Sequence, residues 1–199
     1  MTAIRPVLAL LALLAHTGCV AAPTPDSAYL MTPALPPMGW DHRPEAQDWT
    51  TATLATLADH DGALGGSVPE DIVQWCPGYA QASLEDRRAF WSGLLSAIAK
   101  YESAWNPEAA GGGGRYVGLM QISPKTASHY DCQTQDATGL KDGSANLSCA
   151  VTIIAAQVDR DGMVAGDGNR GLARDWGPLK RAETRDELAA WTSAQSYCQ

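Results

Sequence analysis

No dense block of lysine and arginine occurs in this chain. Its 14 basic residues are outnumbered by 22 acidic ones, for a net charge of −8. The footprint that neutralises nucleic-acid phosphates is therefore missing, and nucleic acid is excluded as a partner. No C-x-x-C pair is present and the histidines lack ligand spacing to the cysteines, so no metal is expected. Neither H-E-x-x-H nor G-x-S-x-G appears, which removes zinc and serine-triad hydrolysis. The four glycines Gly111 to Gly114 precede no Lys-Ser/Thr pair and fit no G-x-G-x-x-G frame, so they are no phosphate loop. A calcium loop starting at Asp159 would place Met163, Val164 and Arg170 where positions 5, 6 and 12 need other residues. No organic cofactor is implied, and no internal repeat was found. A composition of 45% hydrophobic and 18% charged residues fits one compact domain plus a leader and a linker.

The leader carries Arg5 and an apolar run from Val7 to Ala15, too short to cross a bilayer as a mature helix. Two cleavage readings stay open. One is a lipoprotein-type cut before Cys19, preceded by Thr17 and Gly18 but with His16 where an aliphatic residue is usual. The other is an ordinary cut after Val20-Ala21-Ala22. Cysteine parity favours the first, because lipidation of Cys19 leaves Cys76, Cys132, Cys149 and Cys198, an even set suited to an oxidising compartment. Of the three connectivities, Cys132 with Cys149 and Cys76 with Cys198 is favoured. The resulting division is a signal peptide over 1–18, a Pro/Ala-rich tether over 19–39 and a folded domain over 40–199. Val20 after the cysteine resembles an outer-membrane sorting signal, so a periplasmic location on a lipid anchor is expected, with the lipid as the only membrane contact and a monomer as the working state.

Apolar spacing predicts a first helix over 48–59 and a short one within 68–76. Ser83, with Asp86 three residues on, caps a helix predicted to run to Ser103. In it Trp91, Leu94, Leu95 and Ile98 form a stripe whose next member is Glu102. Pro107 stops this helix, and "RYVGLMQI" reads as a short hairpin segment. Ser123-Pro124 opens another helix, Leu147, Val151, Ile154 and Val158 mark a fourth face, and a Thr184–Glu187 capping box is predicted to open the last helix.

An acid on an apolar face near a helix C-terminus resists ionisation, through desolvation and through the helix dipole. Periodicity alone leaves open whether Glu102 plays that part or swings to solvent. Its neighbours supply more: "YESAWNP", a glycine-rich loop and "GLMQIS" together resemble the soluble-type (SLT) lytic transglycosylases, relatives of goose-type lysozyme, over residues 70–198 and most strongly from Phe90 to Thr126. The resemblance implies a mainly α, lysozyme-like α+β domain with a small hairpin beside the catalytic helix. It implies action on peptidoglycan glycan strands, with Glu102 as acid/base. Ser103 would orient the acid or cap the helix, and Gln121 would bind sugar or pin backbone. Met120 would form wall or core, and Tyr116 and Trp105 would stack or pack. The family's downstream A-Y-N-x-G motif is absent, with only a faint echo at Asn169 to Gly171, and Trp176 and Tyr130 are the candidates to replace its tyrosine. Two rivals remain: a hydrolytic muramidase using Asp131, Asp136 or Asp142 as second carboxylate, and a non-catalytic wall-binding lipoprotein.

Overall fold

The computed structural model describes residues 34–199; Cys19 and the leader lie outside the described residues. Six α-helices frame it: α1 (Ala46–Asp59), α2 (Ile72–Trp75), α3 (Leu84–Ser103), α4 (Pro124–His129), α5 (Gly143–Asp161) and α6 (Ala182–Ser193). Short 3₁₀ turns join them, notably Gly171–Arg174 and Gly177–Lys180. Strands β1 (Ala110–Gly111) and β2 (Tyr116–Val117) pair antiparallel, Ala110 opposite Val117 and Gly111 opposite Tyr116. This is the mainly helical, lysozyme-like domain with a hairpin beside the acid-bearing helix that the sequence predicts.

Helix α3 is the axis of the core. Ser83 accepts the Asp86 N–H, the predicted cap, and the Trp91, Leu94, Leu95 and Ile98 stripe is fully buried. On another side Gly93 meets the Tyr197 hydroxyl with no room for a Cβ, so a glycine is kept mid-helix despite its propensity cost. α1, α6 and the C-terminal turn pack around α3, and α5 packs on α1. The close-packed shell begins upstream of Trp40, since Met38 is buried and Gly39 donates to Ser96 Oγ at 2.8 Å.

One sequence expectation fails at α6. The helix starts at Ala182 after Arg181, with no side-chain cap, and Thr184 lies inside it. Thr184, Leu188 and Thr192 form the buried face instead, and Glu187 bonds the Tyr101 hydroxyl. Burial against the core outweighs the local capping preference of a threonine followed by a glutamate.

Two disulfides, Cys76–Cys198 and Cys132–Cys149, close separations of 122 and 17 residues. Loop-closure entropy gives about 4 to 5 kcal/mol for the longer and about 3 kcal/mol for the shorter. Replacing Cys76 and Cys198 together by serine is therefore expected to lower the urea midpoint more than replacing Cys132 and Cys149, as equilibrium unfolding will show.

Candidate active site

Glu102 stands in the last turn of α3, half-buried. Burial lifts its carboxyl from 4.5 to about 7, with no hydrogen bond or neighbouring charge contributing. Just beyond it the backbone leaves the helix abruptly: Ala104 and Trp105 both take left-handed conformations, with φ of 50° and 57°. Gln121 does so too at φ 48°, so three of the four non-glycine left-handed residues among the described residues flank Glu102 or sit in the "GLMQ" segment. Such strain persists only where surrounding structure enforces it, and it gathers at functional sites.

Backbone hydrogen bonds run from the α3 end to that segment. Ser103 O accepts from Asn106 N, Asn106 O from Ala109 N, and Ala109 O from Gly118 N. Gln121 Nε2 then donates to Ala109 O and, at 2.8 Å, to Gly118 O. Its amide nitrogen thus holds backbone, the plainer of its two expected roles, while its carbonyl oxygen faces Gly111. Asn146 on α5, fully buried, fixes the same segment by accepting from Met120 N and donating to Val117 O and Leu140 O.

A groove of about 920 Å³ opens along this segment. Tyr116, Met120, Gln121, Tyr130 and Trp176 all line it, with Met120 and Trp176 buried in its wall. Trp176 donates its indole N–H to Met120 O at 3.0 Å, and Tyr130 donates to Asp175 at 3.5 Å. Ser103 does not line it: its hydroxyl donates back to Ala99 O one turn earlier in α3. Glu102 is not in the lining either; it is joined to the groove by the hydrogen-bonded turn over 103–109. Trp105 faces elsewhere, donating to Ser96 O and packing edge-on against His42. Asn169 opens on a separate cleft with Glu70 and Asp71, so the faint echo of the missing motif does not reach the groove.

The three aspartates considered as a second carboxylate are corrected by their placement. Asp142 caps α5 through Ala145 N, Asp136 accepts from Thr138 N and Gly139 N, and Asp131 faces Gln135. None lines the groove. The carboxylate that does is Asp175, bonded by Gln157, a residue no sequence pattern singled out. A short aspartate near a turn satisfies backbone N–H groups, and this use took Asp136 and Asp142.

Because the folded pKa of Glu102 is raised, its contribution to stability is complete below about pH 4.5 and is lost as pH rises through about 7. Glu102→Gln is expected to match wild type in stability at pH 4 and to exceed it by about 1 to 2 kcal/mol at pH 8, allowing for partial solvent screening. Urea titrations at the two pH values check this.

Fold and site together define a lysozyme-like helical domain whose acid-bearing helix end is linked by backbone hydrogen bonds to the segment that lines a long groove. The sequence profile of the "Transglycosylase SLT domain" family matches residues 80–186, more than half of the chain. The chain belongs to that family, and its class of activity is directed at peptidoglycan. Among solved structures, a Glu-to-Gln mutant of Bd0314 DslA is 28% identical with a TM-score of 0.74, covering 83% of this chain and 98% of that one. Wild-type Bd0314 DslA, form 2, is 28% identical with a TM-score of 0.72, covering 82% and 97%. A second Glu-to-Gln mutant is 26% identical with a TM-score of 0.73, covering 83% and 100%. No curated protein sequence matches the chain.

Proposed function

We propose that the protein is a peptidoglycan lytic transglycosylase in which Glu102 serves as both acid and base. The observation that carries the proposal is a half-buried carboxyl, pushed by burial up to about 7, at a helix end that a hydrogen-bonded turn links to the groove-lining segment. Protonated Glu102 delivers its proton to the oxygen between N-acetylmuramic acid and N-acetylglucosamine as the glycosidic bond breaks. The 2-acetamido oxygen of the muramic residue assists at C1. Glu102, now ionised, takes the proton of the C6 hydroxyl, and O6 closes on C1 to give a 1,6-anhydro end. One carboxylate that can hold and release a proton near neutral pH suffices for both steps. Tyr116, Gln121 and Tyr130 carry the strand along the groove, backed by the buried Met120 and Trp176. With Cys19 lipidated, the protein works from the periplasmic face of the outer membrane; a diacylglyceryl Cys19 in the mature mass spectrum supports this and a start at Pro23 contradicts it.

Asp175 favours a second reading. It is a carboxylate in the groove, and a hydrolytic muramidase uses a second carboxylate to direct water. The products decide. Purified sacculi digested by the wild-type protein are expected to yield anhydro-muramic ends; reducing ends in their place would establish hydrolysis, and no solubilised product would leave only a wall-binding role.

A further inference from the structure

The groove is cationic in an acidic protein. Arg115, Lys125 and Arg174 line it against the single carboxylate of Asp175, although the chain as a whole carries −8. Arg115 and Lys125 are exposed, and neither enters an ion pair among the described residues. Arg115 lies over the Tyr116 ring, its guanidinium carbon 6.0 Å from the centroid, which holds the charge beside an aromatic of the groove wall. Arg174 is held from behind: its Nε donates to Asp161 at 2.7 Å, and Arg160 shares that same carboxylate. Two guanidiniums on one carboxylate leave an excess of positive charge.

A neutral sugar chain has no use for this arrangement. Peptidoglycan strands do, because each muramic residue carries a carboxylate, either on its bare lactyl group or along an attached stem peptide. Resting on the peptidoglycan reading above, we infer that Arg115, Lys125 and Arg174 form an anion-reading rail that makes the groove selective for carboxylate-bearing strands over neutral N-acetylglucosamine polymers. Aromatic and amide contacts supply affinity common to both ligands, and the cations supply the discrimination.

Binding to the full mature chain carrying Glu102→Gln, measured by calorimetry, tests the inference with three ligands of equal length. They are a neutral N-acetylglucosamine oligomer, an amidase-stripped strand bearing only lactyl carboxylates, and a strand with stem peptides. Exposed charge pairs give about threefold to tenfold in sum, so the anionic strands are expected to bind that much tighter at low salt and to lose the advantage near 1 M salt. A gain with the stripped strand assigns the rail to lactyl groups; a gain only with stem peptides assigns it to those. Adding Arg115→Gln and Lys125→Gln is expected to remove most of the preference, leaving only the share of Arg174, whereas Lys180→Gln with Arg181→Gln, the same charge change outside the groove lining, is expected to keep it. Equal affinity for all three ligands, or equal loss in both double variants, overturns the inference. Equal affinity alongside anhydro products from the wild type removes the rail alone; a clear preference without turnover upholds the rail and removes the proposed reaction.

Discussion

Glu102→Gln is expected to lower the rate of muropeptide release from sacculi by about 10²- to 10⁴-fold, the range a positioned general acid supplies. The amide has the shape of the acid and cannot transfer its proton, so strand binding is expected to persist while release stops. In the wild type, the acid form is the one that starts the reaction. With a pKa of about 7, kcat/KM is expected to be highest at mildly acidic pH and to fall tenfold per unit once pH passes well above that value. A Glu102→Gln protein that releases muropeptides at the wild-type rate removes the acid from the mechanism.

The second large effect is structural. Gly118 has φ +81°, and a Cβ there would lie 2.2 Å from Leu140 O and 2.3 Å from Asn146 Nδ2. Gly118→Ala is therefore both strained and obstructed. Asn146→Ala leaves Met120 N and Leu140 O without a partner, while Val117 O keeps its bond from Ile122 N. Each buried group left unpaired costs about 1 to 3 kcal/mol, so a total loss of about 2 to 5 kcal/mol is expected for either variant. For a domain of this size that corresponds to a fall in Tm of about 10 °C, readable by calorimetry. Strand binding should weaken beforehand, since Met120 and Gln121 lose their anchor; an unchanged Tm in both variants would show that Asn146 does not organise the groove.

What was legible in the sequence was mostly local. The Ser83 cap, the Ser123-Pro124 start and the stripe ending at Glu102 depend on residues within one or two turns, and the structure carries all three. Both favoured cysteine pairings are present as well. The far wall of the groove was not legible beyond Trp176 and Tyr130. Arg174 and Asp175 reach it through 3₁₀ turns over 171–180, which are too short to show periodicity and are held by α5 and by neighbouring turns. Gln157 was hidden for a different reason: a buried amide on a helix face looks like any polar residue until its partner, Asp175, is brought beside it from 18 residues away. Thr184 shows the converse error, a capping signal overruled by burial.

The account turns on a carboxyl that keeps its proton where ordinary glutamates have lost theirs. Titrating ¹³C-labelled Glu102 by NMR in the substrate-free wild-type protein, assigned against Glu102→Gln, measures that directly. A midpoint near pH 7 is the predicted result; a midpoint near 4.5, the unperturbed value, would contradict it.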